Sequence, residues 1–409
     1  MSKKLIRRDF LAAGAGALGA AVFQHPADLA LLLASFPVAS RSRPQSDPSD
    51  NTADPGMIVY SRKFLTMEMS MAALISWITP TQSFFVRNNA IMPSSIDVGK
   101  WELRLAGEVR NPVAMNFRDL AALSKRSVTN TMECAGNGRA FYDPRIGGVP
   151  WRKGAVGNAT FEGPRLRDLL RLAGLKPSAR HVAFAGLDTA PEGAEKFIRS
   201  IPLEKALDEN SLVATHMNGA PLTMPHGFPA RALIPGWIGS ASIKWLQEIT
   251  VLDREYSGAY MDPGYRVPAE QLPSHSPNDS ADKKRTLPLT SLHLKSIIAK
   301  PDENAVIHLS AGRNISVRGA AWGGEKPVAS VEISTDSGNT WKATTLGPEH
   351  ARYAWRLWEY DWKPPAPGNY QLVSRARDIY GNRQPVKPAW NAGGYLWNGV
   401  DRITVQVQA

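Results

Sequence analysis

The sequence predicts an α+β fold, in which a mixed helix-and-strand domain is followed by an all-β immunoglobulin-like sandwich. Three observations carry this. Residues 58–268 mix short apolar runs with helical patches. Ser274 to Pro288 interrupts that pattern with prolines, Asn278-Asp279-Ser280 and Lys283-Lys284-Arg285, and offers no apolar periodicity. Past Pro288, short segments alternate apolar and polar residues between turn signals, as the strands of a two-sheet sandwich do. A chain of 409 residues is too long for one core. The expected domains are 58–273 and 289–409, joined by a linker over 274–288.

The elements follow in chain order. Lys3-Lys4 and Arg7-Arg8-Asp9-Phe10-Leu11 precede an apolar, Gly/Ala-rich run from Leu11 to Phe23. A charged segment with paired arginines before an apolar one is the pattern of a twin-arginine export signal, assigned here to residues 1–40. The apolar run is too short to span a bilayer, and Gln24-His25-Pro26 and Asp28 separate it from Leu29 to Ala39. A periplasmic protein, exported folded and without a membrane anchor after processing, is expected. Residues 41–57, rich in Ser, Pro, Asp and Asn, form a flexible linker. Asn116 caps a helix running through Leu123, and Gly174 stops another that starts at Arg165. Val182–Ala185 and Ile243–Leu252 read as strands. In the second domain Val331, Ile333 and Thr335 alternate with Glu332 and Ser334 before the turn Asp336-Ser337-Gly338-Asn339. Tyr370–Ala376 and Asp401–Val407 alternate likewise.

The formal charge is +11. No run of Lys and Arg interleaved with aromatics accompanies it, which argues against nucleic acid. An anionic substrate or an acidic electron-transfer partner suits this charge through electrostatic steering.

One stretch concentrates the chemistry: Thr131-Met132-Glu133-Cys134-Ala135-Gly136-Asn137-Gly138-Arg139-Ala140, which holds the only cysteine. A single exported cysteine cannot serve an internal disulfide. A thiolate is a soft metal ligand. The glycines would let backbone approach a bulky ligand closely, and Arg139 offers a forked cation for an oxyanion. A lone cysteine is most often a small buried hydrophobe, but here its neighbours are Glu133, Asn137 and Arg139 rather than an apolar run.

The segment Glu133 to Tyr142 resembles the molybdenum-ligating segment of the sulfite oxidase family. The resemblance continues through Phe84 to Asn89, Phe184 to Asp188, His226 to Arg231, Ser242 to Leu246 and Tyr353 to Trp358, in the family's order. It implies one molybdenum held by a molybdopterin, with Cys134 as the protein's sole ligand. Phe85, Val86, Arg87, Asn88, Asn89, Asp188, His226, Arg231, Ser242, Ile243 and Lys244 would line the cofactor. Arg87, Arg139 and Arg356 would bind a small oxyanion, Trp151 would form a pocket wall, and Tyr265 would be the active-site tyrosine, with Tyr260 as the alternative. By themselves His226 and Asp188 would pass for exposed loop residues, and Arg356 for a stacking partner of the tryptophans around it.

The resemblance implies oxidation of sulfite to sulfate by oxo transfer. The sequence has no C-x-x-C-H haem site, so a separate cytochrome c is the expected electron acceptor. The second domain would be a dimerisation module. Asn89, Gly138 and Phe161 depart from the animal enzymes. They leave the sulfur substrate open, with a sulfane dehydrogenase of the thiosulfate-oxidising system as the second reading; a metal-free secreted binding protein is the separate, non-enzyme alternative.

Overall fold

A nine-residue strand, Lys125–Glu133, runs from the surface into the interior and organises the first domain. Its burial tracks its sequence: Lys125 and Ser127 are exposed, whereas Asn130, Thr131, Met132 and Glu133 are buried. It pairs antiparallel along its whole length with Val156–Pro164. The buried polar residues between them are satisfied in pairs, as where Thr131 Oγ1 donates to Asn158 Oδ1 at 3.0 Å. The structure, a computed structural model, describes residues 56–271, 286–309 and 314–409.

A five-stranded sheet forms the other layer of this domain. Its order is Val113–Asn116, Glu102–Gly107, Leu246–Leu252, His181–Gly186, Ile198–Pro202, with only Leu246–Leu252 and Glu102–Gly107 parallel. The helix Leu166–Ala173 lays Leu166, Leu169, Leu170 and Ala173 into the core beside Leu103, Val182, Phe184 and Ile249. Each fully buried leucine there contributes about 1.5–3 kcal/mol. Gly174, at φ +68°, ends that helix as the sequence indicates. The helix Phe117–Ala122 starts at a reciprocal cap: Asp119 N donates to Asn116 Oδ1 at 3.0 Å and Asn116 N donates to Asp119 Oδ2 at 3.3 Å.

The second domain is a sandwich of two sheets. One has the order Lys295–Lys300, Ile315–Trp322, Arg356–Trp362, Thr345–Leu346. The other runs Ala305–His308, Asp401–Gln408, Gly368–Asp378, Val328–Ser334, Lys342–Ala343. Inward residues of both, among them Val317, Trp358, Val331, Leu372 and Val405, form one core. The α+β domain and the sandwich are therefore as the sequence reads. Two local expectations are not met. Ile243–Trp245 lies outside the strand, where Trp245 takes φ +49°, and Thr286–Pro288 pairs with Arg266–Pro268 rather than belonging to the linker. Residues 1–40, 41–55 and 274–285 of the sequence-based assignments lie outside the described residues. Among the described residues no helix is long and apolar enough to cross a membrane.

The sandwich packs against the inner end of the strand Lys125–Glu133. Trp355 Nε1 donates to Trp77 O at 3.0 Å, Leu396 N donates to Ala135 O at 2.8 Å, and Lys153 pairs with buried Asp401 at 2.5 Å. The second domain thus supplies the floor under the segment that carries Cys134.

Candidate active site

The strand Lys125–Glu133 ends at the sole cysteine, and Cys134 opens into a partly open cavity. Five chain segments converge on it. Phe84–Asn89 follows a short helical turn, and Asp188 follows the strand His181–Gly186. His226 sits in the turn Met224–His226, Arg231 starts the strand Arg231–Leu233, and Ser242–Lys244 follow the turn Gly239–Ala241. Phe85, Arg87, Asn88, Asn89, Cys134, Asp188, His226, Arg231, Ser242, Ile243, Lys244 and Tyr265 all line this one cavity.

Its walls are cationic. Arg231 is buried and faces no carboxylate; its guanidinium donates to His226 O and Ser242 O, each at 3.0 Å, and to Met132 Sδ at 3.3 Å. Burial lowers its pKa to about 9. Lys244 donates to Asn88 Oδ1 and, at 2.8 Å, to Pro225 O. Burial and the Arg231 charge hold its ammonium well below the ordinary lysine range. His226 Nε2 donates to Thr81 O at 3.0 Å. Burial, with Lys244 and Arg231 beside it, pushes its pKa down to about 3, so the ring is neutral. The Asp188 carboxyl is raised by burial, with Lys196 and Lys244 pulling it back. Burial also raises the Cys134 thiol, while Arg87 and Arg139 favour its thiolate.

Three buried polar atoms on this wall have no partner within the chain: Asn88 Nδ2, Arg231 Nε and Ser240 Oγ. Buried donors left unpaired cost about 1–3 kcal/mol each. Together with the buried Arg231 guanidinium, which faces no carboxylate, they fit a polar, anionic group such as a phosphorylated pterin. Among the described residues no group of three or more His, Cys, Asp or Glu could hold a metal by itself. A metal here would need most of its ligands from such a cofactor, with the Cys134 sulfur as the protein's contribution.

Four of the residues singled out in the sequence do not line the cavity. Val86 is buried in the scaffold, its backbone exchanging hydrogen bonds with Met67 at 2.9 Å. Trp151 is not a pocket wall: it is fully buried, with its ring edge-on to Tyr60 at 5.2 Å. Arg139 stands one layer back, donating to Gly393 O and Val149 O, close enough to Cys134 to act on it only through charge. Arg356 is the clearest correction. Trp355 and Leu357 turn toward the first domain, so strand alternation points Arg356 the other way, to Gly347 O at 2.8 Å. The two tyrosines also separate: Tyr265 lines the cavity and donates to Asn89 Oδ1 at 3.3 Å, whereas Tyr260 packs on Phe197.

The glycines around Cys134 serve the protein rather than a ligand. A Cβ on Gly136 would meet the Arg139 guanidinium at 2.6 Å. One on Gly138, at φ +89°, would meet Trp397 at 2.8 Å.

Arg199 and Tyr395 carry no signal in the sequence. The Arg199 guanidinium lies 4.9 Å from the Tyr265 ring centroid, Tyr395 stacks on Tyr265 at 5.4 Å and 15°, and Arg139 lies 5.5 Å from Tyr395. This run of rings and cations links three segments around the tyrosine of the cavity.

Residues 89–260 match the oxidoreductase molybdopterin binding domain, and residues 287–408 match the Mo-co oxidoreductase dimerisation domain. Rat mitochondrial sulfite oxidase is 33% identical over 383 residues, covering 88% of this chain and 68% of that protein. The chain belongs to the sulfite oxidase family. Sulfite oxidase of Arabidopsis thaliana is 29% identical over 380 residues, covering 86% of this chain and 94% of its own. The sulfane dehydrogenase SoxCD of Paracoccus pantotrophus shares the fold, with TM-score 0.71 at 23% identity over 91% of this chain and 96% of that one. This member of the sulfite oxidase family is a molybdopterin-dependent oxidoreductase, and its second domain is of the dimerisation type.

Proposed function

We propose that this enzyme oxidises sulfite to sulfate in the periplasm and passes the electrons to a separate cytochrome c. The observation that carries the reading is the meeting of the single thiol, Cys134, with Arg87, Arg231 and Lys244 on one cavity. The bound molybdopterin centre supplies two-electron oxo-transfer chemistry.

The chain's residues do the rest. Cys134 ligates the metal, and coordination keeps its sulfur deprotonated. Arg231, Lys244, Asn88, Ser240 and the neutral His226 hold the pterin and its phosphate, satisfying the donors that the chain leaves open. Sulfite is a small anion whose burial is costly without cations. Arg87 at the cavity wall receives it, and Tyr265, held by Asn89, orients it with a phenolic hydroxyl. Arg139 adds positive charge from behind the thiolate without touching the substrate. No strong general base is required of the protein. The twin-arginine pattern at Arg7-Arg8 supports export, and the absence of a C-x-x-C-H site in the sequence supports an external haem protein as acceptor.

Steady-state turnover of molybdenum-loaded protein with sulfite and ferricyanide tests the reading. Sulfite-dependent ferricyanide reduction is expected, and its absence at full molybdenum occupancy would eliminate sulfite as the substrate.

A further inference from the structure

Each sulfite takes up the oxygen of one water and releases two protons and two electrons. The electrons leave singly, reducing two molecules of a one-electron acceptor. A path toward the surface starts beside the thiol. Leu396 N donates to Ala135 O at 2.8 Å, and the next residue, Trp397, lines a small cavity together with Glu133 and Cys134. The Trp397 ring packs on Phe141 with centroids 5.1 Å apart, and Phe141 is 41% exposed.

Around Phe141 the surface is apolar. Trp390 is 48% exposed, and its indole nitrogen donates to Pro144 O at 3.1 Å, which brings it to the same loop. Val386 is 66% exposed, and its carbonyl and Pro388 lie against Gly399 beside the Trp397 ring. Large apolar side chains from two segments 245 or more residues apart thus share one face. Next to these residues in the chain, Arg145 follows Pro144 and Lys387 follows Val386, with Arg383 three residues before Val386; all three are exposed, as are Asp143 and Glu270.

We propose that this face is the electron exit and docks a one-electron redox protein through an acidic patch. The inference rests on the sulfite-oxidising reading above. An apolar centre with a cationic margin suits a small, transient redox encounter, in which charge sets the association rate. The short aromatic route from Cys134 favours a redox partner over a second copy of the chain as occupant.

The test uses metal-loaded full-length protein, an acidic c-type cytochrome as partner and ferricyanide as a small acceptor that needs no docking face. Two variants are compared with wild type: Phe141→Ser/Trp390→Ser, and the charge reversal Arg145→Glu/Lys387→Glu, whose exposed side chains leave the core intact. Both are expected to slow cytochrome reduction about tenfold and to weaken cytochrome binding in interferometry by a similar factor. Ferricyanide turnover stays within about twofold of wild type, and the charge reversal also flattens the salt dependence. Unchanged cytochrome reduction and binding in both variants would overturn the proposal. So would conversion of a dimer to monomer in sedimentation with cytochrome reduction intact, which would assign the face to a second copy. Loss of sulfite-dependent ferricyanide reduction in wild type would instead remove the sulfite reading, and the interferometry arm would still decide the face.

Discussion

Glu133 and Lys295 come from different domains and form an ion pair of 2.5 Å next to the thiol, with both side chains buried. Glu133 also accepts from Trp322 Nε1 at 2.8 Å and Asn137 Nδ2 at 2.9 Å, so the carboxylate beside Cys134 has three donors. A buried pair of this kind adds little net stability over an apolar pair, but losing one partner strands a charge.

Lys295→Met should therefore destabilise the protein by about 3–5 kcal/mol, read by urea unfolding. The double variant Glu133→Gln/Lys295→Met should recover most of that loss. A single-variant cost below about 1 kcal/mol would mean that the pair does not lock the domains.

Cys134→Ser exchanges one atom at the cavity wall. Sulfite oxidation and bound molybdenum should fall by at least about a hundredfold, the upper range for loss of a ligand's supporting partner. The thermal midpoint of the metal-free protein should barely move. Metal content and calorimetry separate these outcomes.

Arg231→Lys keeps the charge and loses the fork that reaches His226 O, Ser242 O and Met132 Sδ together. Pterin retention through gel filtration should drop about ten- to a hundredfold. Retention equal to wild type would place the cofactor elsewhere.

His293, behind the thiol, has a pKa lowered to about 4 by burial, with Lys295 and Lys326 adding repulsion. In the unfolded chain it titrates near the usual 6.5, so protonation favours unfolding once pH drops below that value. Stability is then lost between pH 6.5 and 4 and levels off below, by up to about 3 kcal/mol. His293→Gln should flatten that window in denaturation curves measured across pH; an unchanged slope would rule out this residue.

Much of the scaffold was legible because local chemistry dictates it. Asn116 and Asp119 form a reciprocal cap, Gly174 needs a positive φ, and Val331 to Ile333 alternates by strand geometry. Most of the cavity lining followed from the resemblance of five segments; the sixth, Tyr353 to Trp358, does not line it. Arg356 failed because a strand residue's facing depends on register, and its neighbours Trp355 and Leu357 took the inward side. Trp151 failed because a tryptophan in a loop sequence gives no sign of its depth. Arg199 and Tyr395 were invisible because their partner Tyr265 lies far away in sequence, and no periodicity links such residues.

Arg139 grips the carbonyl of Gly393 across a separation of 254 residues, and Leu396 and Asp401 tie down the same loop. A ribosome delivers these halves far apart in time. The floor beneath the thiol accordingly closes only after the sandwich has been made and docked, so the seat of the sulfur takes its final shape in the finished chain rather than in the growing one.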